Sequence, residues 1–396
     1  MADRTIVLTG GGSGGHIMPV LAVAAALKLA DPSLKLVYVG QHGDRLADIP
    51  AQDKNIDKVY TIRAGKFRRY HGLGWRQSFD VKTLVLNVRD LAYIITGFLQ
   101  SLRLMRAVRP AVIFTRGGFV SVPVALAGKL CGVPYITHDS DSTPSLANRM
   151  IAPWACVHAV ALPAELYPYP PAKTVTTGVP IDEHYKPVTN SDRLANRQSV
   201  GLPANGKLLL ITGGGNGAHA LNQIIAINAR ALLARFSDLT IVHIAGRSLE
   251  QAVTAKYDGL LAVPNHRARV LVKGFVPDLY KYSAAADVII ARGGATNLAE
   301  FAAQAKACII IPSPQLAWNV KNAQVLAERR AVVVLAEPQA QQQGRLVKTI
   351  TELLANPQKR NELATTLQQY SYPDAAYQLA SILIEQVERG SKRAAA

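Results

Sequence analysis

The chain has 396 residues, 49% of them apolar and 18% charged, which excludes a disordered protein and leaves room for two domains of ordinary size. The 44 Lys and Arg against 27 Asp and Glu give a formal charge of +17, a balance that points to an anionic partner. Cys131, Cys156 and Cys308 lie far apart in apolar segments, which suits buried thiols in a reducing compartment better than a disulfide framework or a metal site; with folding expected from Thr5, no secretory signal is expected.

In chain order, short apolar strands are predicted at Thr5–Thr9, Lys35–Val39, Lys58–Ile62, Ala111–Thr115, Tyr135–Thr137 and Val157–Ala161, with helical stretches between them. Strands alternating with helices imply a parallel sheet covered on both faces. From Pro163 to Pro203 the composition turns polar and proline-rich, which reads as a connection between domains. The pattern restarts with strands at Leu208–Thr212, Leu239–Ala245, Arg269–Val272, Asp287–Ala291, Ala307–Ile311 and Ala331–Leu335. The expected fold class is therefore α/β, two doubly wound Rossmann-like domains facing across a cleft. The expected boundaries are 1–184 for the first domain, 185–206 for a linker and 207–372 for the second domain. A helix over 373–389 returns toward the first domain, and 390–396 is a disordered tail.

Each half opens with a strand running into glycines: Gly10-Gly11-Gly12-Ser13-Gly14-Gly15-His16 and Gly213-Gly214-Gly215-Asn216-Gly217. Such loops form tight turns, or they admit an anion or a sugar to backbone N–H groups, and spacing alone leaves both readings open. A nicotinamide dinucleotide fits poorly, because the spelling is not G-x-G-x-x-G and no strand ending in Asp or Glu follows about twenty residues on. In the second half, Arg292-Gly293-Gly294-Ala295-Thr296 follows a strand and opens a helix, a suitable cradle for a diphosphate. Glu300 in that helix either reaches a ribose or merely complements the helix dipole. Pro312-Ser313-Pro314-Gln315, Asn319 and Asn322 follow the next strand and bring amides toward the same ligand.

The segment Arg63 to Arg109 carries ten basic residues against two acidic ones, a local +8, interleaved with Trp75, Phe79, Tyr93 and Phe98. Its longest uncharged apolar run, Leu91–Leu102, is too short to span a bilayer. An element lying on an anionic membrane surface and a core helix with a solvated basic face both fit; nucleic acid has no base-reading module to support it.

Taken together and in order, GGGSGGHIMP, Arg116-Gly117-Gly118-Phe119-Val120-Ser121-Val122-Pro123, His138-Asp139-Ser140-Asp141, GGGNGAHALN and ARGGATNLAE resemble the motifs of the MurG family, over about Thr5 to Glu388. These are GT-B glycosyltransferases that move N-acetylglucosamine (GlcNAc) from UDP to undecaprenyl-diphosphate-linked N-acetylmuramyl pentapeptide, lipid I to lipid II, in peptidoglycan synthesis and hence cell-wall growth and division. The resemblance implies that Gly14, Gly15, Gly117, Gly118, Ser121 and Asp141 serve the lipid acceptor. It implies that Gly215, Asn216, Phe275, Val276, Gly293, Gly294, Ala295, Thr296, Glu300 and Asn319 serve UDP-GlcNAc. Phe275 and Val276 would lie beside uracil, Gly293 to Thr296 on the diphosphate and Glu300 on the ribose. It also places the basic Arg63–Arg109 window where the family docks on the membrane, making this a peripheral protein of the cytoplasmic face. No cofactor and no metal is expected, UDP-GlcNAc being a substrate; the oligomeric state is left open.

By the same resemblance the reaction is an inverting displacement through an oxocarbenium-like state, with the leaving diphosphate stabilised at a helix N-terminus. His16 is the expected base, with Asp139 or Asp141 as rivals. The chain departs from the family pattern in carrying Asp141 where an asparagine is usual, Asp182 where an arginine is usual, Gly215-Asn216 for Ser-Gln and Trp318-Asn319 for His-Gln. These departures leave open a related transferase with another lipid or nucleotide sugar. A non-catalytic membrane-docking scaffold is the alternative from a different class.

Overall fold

The computed structural model describes residues 4–10, 14–44, 46–65, 81–215 and 217–395, with backbone alone described for 14, 81–88 and 391–395. Two compact units result: Met1–Asp182 with Asp374–Ala396, and Glu183–Pro373.

The first unit is built on a parallel sheet of seven strands: β1 (Thr5–Thr9), β2 (Lys35–Gln41), β3 (Lys58–Ile62), β4 (Val112–Thr115), β5 (Tyr135–Asp139), β6 (Val157–Val160) and β7 (Thr174–Thr176). Their order is β3-β2-β1-β4-β5-β6-β7. Strands buried on both faces read as continuous apolar runs, and β1 and β4 are buried along their whole length for that reason. One face carries the helix Gly14–Ala30, whose Val20, Val23, Ala24 and Leu27 are buried together with Ile6, Leu8 and Phe114. The other is covered by Leu104 and Met105 of the helix Val81–Val108 and by Val122, Val124 and Ala125 of the helix Ser121–Leu130.

The C-terminal helix, Ala375–Ala395, belongs to this unit. Ala376, Leu379, Ala380, Leu383 and Val387 recur at helical spacing and join the core beside the helix Gly14–Ala30. Burying each of its larger aliphatic side chains contributes about 1.5–3 kcal/mol. The helix continues past Gly390 to Ala395, through positions that read in sequence as a tail.

The second unit holds a parallel sheet of six strands: β8 (Lys207–Thr212), β9 (Leu239–Ile244), β10 (Val270–Lys273), β11 (Val288–Ala291), β12 (Cys308–Ile310) and β13 (Val333–Val334), in the order β10-β9-β8-β11-β12-β13. The stretch read as a linker is ordered. Within it Asn190–Ser199 is a helix started by a capping box between Thr189 and Asp192. Its hold on the unit is polar, which is why apolar periodicity did not reveal it: the buried Arg197 donates to the carbonyls of Ala285 (3.2 Å) and Gly206 (2.9 Å) and to Asp287 (3.0 Å). β7 was missed for a related reason, being a three-residue edge strand in the proline-rich segment.

In each sheet the strand order reverses direction between two neighbours, β1 and β4 in the first unit, β8 and β11 in the second. In open parallel sheets the loops at the carboxyl ends of such a pair bind ligands. The glycine motifs follow these four strands.

Candidate active site: two sets of strand-end loops

In the first unit, Gly10 closes β1 and its carbonyl accepts a hydrogen bond from Tyr38 Oη. The helix starts at Gly14, so Gly14, Gly15 and His16 form its first turn, while Gly11 to Ser13 lie outside the described residues. First-turn N–H groups have no partner within their helix, and no acidic side chain occupies this turn. On the neighbouring strand, Gly117 and Gly118 follow Arg116 with φ of 85° and 84°. Two successive left-handed residues favour glycine, and a Cβ on Gly117 would lie 2.9 Å from Ser145 Oγ. Ser121 is fully buried and donates to the Gly117 carbonyl at 2.6 Å, so it shapes this turn and presents no hydroxyl outward.

The same strand ends gather a cluster of charged and polar groups. Arg116 is 6% exposed, and its NH1 lies 3.3 Å from His16 Nδ1. Burial pulls the guanidinium down to a pKa of about 10, while the charges of Asp141 and Asp139 hold it up. Asp139 accepts hydrogen bonds from the Ser145 N–H (3.1 Å) and from Tyr169 Oη (2.6 Å). Its carboxyl nevertheless sits above the ordinary value because burial outweighs them. Asp141 is half-buried, and its carbonyl accepts from Tyr167 Oη at 3.0 Å. His138 Nε2 donates to the Gly178 carbonyl (2.9 Å), which ties this loop to Gly178–Asp182; burial, with Arg116's charge second, lowers its pKa to about 3.

His16 itself is pushed down to about 4, first by lost hydration and then by the charge of Arg116, with the Arg116 carbonyl acting in the opposite sense. A general base works best with a pKa near the operating pH. A ring at about 4 is uncharged at neutral pH.

In the second unit the charges at the strand ends have partners of their own, Arg292 with Glu337 and Arg247 with the Phe275 ring, and the loops between them are glycines and amides. A Cβ on Gly217 (φ 71°) would lie 2.1 Å from the Ala245 carbonyl oxygen, so the turn after β8 admits only glycine there. Gly215 is exposed, and Asn216 lies outside the described residues. Asn222 of the same motif is structural: its Nδ2 donates to the Ala245 carbonyl (2.9 Å) and its Oδ1 meets His243 Nε2 (3.0 Å).

After β11, Gly293 and Gly294 divide the work. A Cβ on Gly293 would lie 2.3 Å from the Asn319 carbonyl oxygen, whereas one on Gly294 would meet nothing within 4 Å. Gly294 is the N-cap of the helix Ala295–Ala303, with no side chain capping it, so the helix start is open. Ala295, Thr296 and Glu300 of this helix are partly exposed. The next helix, Ala317–Glu328, braces the loop, Asn322 Nδ2 donating to the Gly293 carbonyl at 3.0 Å. Asn319 is buried at 5% exposure, while its neighbour Trp318 is 46% exposed.

Phe275 is 45% exposed and the next residue, Val276, is buried. The guanidinium of Arg247 stacks over the Phe275 ring at 4.1 Å, a partner that sequence reading missed because it follows a different strand. Arg292, too, has a hidden partner: Glu337, at 2.7 Å with both side chains largely buried, braces the loop after β11. Among the described residues no group of three or more His, Cys, Asp or Glu is placed to hold a metal ion.

Two family models match: the glycosyltransferase family 28 N-terminal domain over residues 6–159 and its C-terminal domain over 208–379. A Moorella thermoacetica protein named UDP-N-acetylglucosamine–N-acetylmuramyl-(pentapeptide) pyrophosphoryl-undecaprenol N-acetylglucosamine transferase is 31% identical, covering 97% of this chain and 100% of its own. One of the same name from Bacillus cytotoxicus is 28% identical over 96% and 98%. The crystal structure of Acinetobacter baumannii MurG superposes with a TM-score of 0.71 at 22% identity, over 96% of this chain and 99% of that one.

Proposed function

The chain belongs to glycosyltransferase family 28, and from that premise we propose that it transfers GlcNAc from UDP-GlcNAc to the 4-hydroxyl of undecaprenyl-diphosphate-N-acetylmuramyl-pentapeptide. The observation that carries this reading is that the relatives sharing this name match end to end, with the donor-type loop complete in this chain.

The donor's leaving diphosphate gathers negative charge as the glycosidic bond breaks. The open N-terminus of the helix Ala295–Ala303 offers backbone N–H groups and the positive end of its dipole to that charge. Glycine at 294 lets the phosphates approach, and glycine at 293 lets the bracing helix approach from the other side. Glu300, farther along the helix, serves the ribose hydroxyls, and Phe275 with Arg247 gives uracil a flat, cationic neighbour. Gly14, Gly15, Gly117 and Gly118 serve the acceptor, with Asp141 at the same strand ends.

The acceptor is a lipid, and the helix Val81–Val108 offers a surface for it. Leu91, Ile95 and Leu99 recur every fourth residue and are 50%, 55% and 51% exposed. Exposed Arg89, Arg103 and Arg106 lie along the same helix, with the Arg89 guanidinium over Tyr93. An apolar stripe beside cations suits an anionic bilayer surface and supports a peripheral position on the cytoplasmic face. No described helix is long and apolar enough to cross a membrane. The basic residues at 66, 68, 69 and 76, and Trp75 and Phe79, lie outside the described residues.

The test is direct. Radiolabelled UDP-GlcNAc and the lipid-linked muramyl pentapeptide should yield labelled disaccharide lipid and UDP. Transfer from a different nucleotide sugar, with none from UDP-GlcNAc, would overturn the donor assignment.

A further inference from the structure

Resting on the transferase reading, we propose that Arg116 is a positioning residue that fixes His16 as a neutral ring protonated at Nε2, so that His16 donates a hydrogen bond and does not receive the attacking hydroxyl's proton. A guanidinium has donors only. With its NH1 3.3 Å from His16 Nδ1, that nitrogen must offer its lone pair. A neutral imidazole carries one N–H, which is then at Nε2. Neither nitrogen keeps a vacant lone pair: Nδ1 is taken by Arg116 and Nε2 already bears hydrogen. To act as a base the ring would have to leave Arg116.

Arg116 cannot readily move or discharge. It is 6% exposed, its backbone N–H bonds the Thr9 carbonyl at 3.2 Å, and it is flanked by the left-handed Gly117. The groups facing this cluster are Asp139 and Asp141 from the end of β5, His138 on the same strand, and Tyr167 and Tyr169 beyond β6. Asp139 is engaged through both oxygens, by Ser145 and Tyr169, so the cluster is built as a fixed counter-charge for Arg116. The depressed pKa of His16, about 4, accords with this geometry. The arginine and the carboxylate at 141 thus belong together: the departure from the usual asparagine supplies charge that a buried arginine requires.

Two measurements on the full chain decide it. In 15N-labelled protein, long-range 1H–15N correlation should show His16, assigned by the loss of its signals in His16→Gln, with Nε2 protonated and Nδ1 accepting throughout pH 5.5 to 8. An Nδ1–H tautomer would overturn the proposal. In the double variant Arg116→Met/Asp141→Asn, which removes one charge of each sign, the His16 titration should rise toward the ordinary value of about 6.5. An unchanged titration would also overturn it.

For activity, the His16→Gln amide can donate from the Nε2 position but cannot take a proton. Turnover should stay within about tenfold of wild type, whereas removing a general base costs roughly 10²–10⁴-fold. His16→Ala should lose far more than His16→Gln; equal, large losses would make His16 the base. The spectroscopic arm needs no turnover, so a wild type that transfers no sugar would overturn the functional reading while leaving the tautomer decided.

Discussion

Both units place one glycine turn after a sheet's first strand and another after the neighbouring strand, yet they differ in where they bury charge. In the first unit the buried charges, Arg116 and Asp139, stand at the carboxyl ends of β4 and β5, within reach of His16. In the second, the pair Arg197 and Asp287 stands at the opposite ends of the strands, before β8 and β11, while at the carboxyl ends Arg292 is closed off by Glu337 at 2.7 Å beside glycines and amides. A buried ion pair away from the loops holds structure. The charges inside the first unit's loops, beside His16, set the protonation state of that ring. A neutral, glycine-lined helix start leaves room for the ligand to bring the charge.

The largest effect that would sharpen this contrast is on stability. Arg197→Met leaves Asp287 to Arg193 (2.7 Å) and takes the buried donor from the Ala285 and Gly206 carbonyls, each such loss costing about 1–3 kcal/mol. Unfolding followed by denaturant should show the second unit lost first, with kcat per folded molecule unchanged. A loss of kcat without loss of stability would break the distinction between the two ends of the sheet.

Next in size is the pair of adjacent glycines. Gly293→Ala forces a Cβ against the Asn319 carbonyl, and such overpacking costs about 1–3 kcal/mol. Gly294→Ala meets open space at φ −75°, so the melting temperature should hold while UDP affinity, measured by calorimetry, falls as the methyl enters the ligand's path. Equal UDP affinity in Gly294→Ala and wild type would remove the diphosphate from this loop.

Acid should act unequally on the two units. In the first, His16, His138 and His158 are held down to about 4, 3 and 4; in the second, His243 is held down to about 3, mainly by burial in each case. An unfolded histidine takes up a proton near 6.5, and the folded rings do so only lower. The stability they confer is thus complete above about pH 6.5 and is lost as pH falls toward the folded values. Asp139, held above its ordinary value, works the other way, for one proton against three. Amide exchange in β1, β4 and β5 should accelerate, relative to β8, β9 and β11, between pH 7 and 4.5; parallel behaviour would contradict it.

The smallest effect on the soluble reaction is expected from the exposed stripe. Replacing Leu91, Ile95 and Leu99 together by Ser should weaken sedimentation with anionic vesicles severalfold while leaving UDP binding intact. Undiminished vesicle binding would move the membrane surface elsewhere.

Much of this architecture is legible in sequence because parallel strands are buried on both faces and therefore read as uninterrupted apolar runs ending in glycine. β1 and β3 match their predicted bounds, and the other predicted strands lie within one or two residues. The helix Asn190–Ser199 was hidden because a single buried arginine, not an apolar stripe, attaches it. The partners of the loop residues were hidden for a different reason. Arg116 reaches His16 only because β4 lies beside β1, Arg247 reaches Phe275 only because β9 lies beside β10, and neither adjacency has a local signature. Ser121 and Asn319, singled out as ligand contacts, are buried, Ser121 bonded into its own turn and Asn319 packed behind Gly293.

In the proposed function the two units divide the work, the second holding the nucleotide and the first the reacting hydroxyl. A crystal structure with UDP-GlcNAc bound tests it most directly. Uracil should lie against Phe275, the diphosphate on the N–H groups of residues 294–296 and the ribose at Glu300. A diphosphate seated instead on the first turn of the helix Gly14–Ala30, beside Arg116, would contradict it.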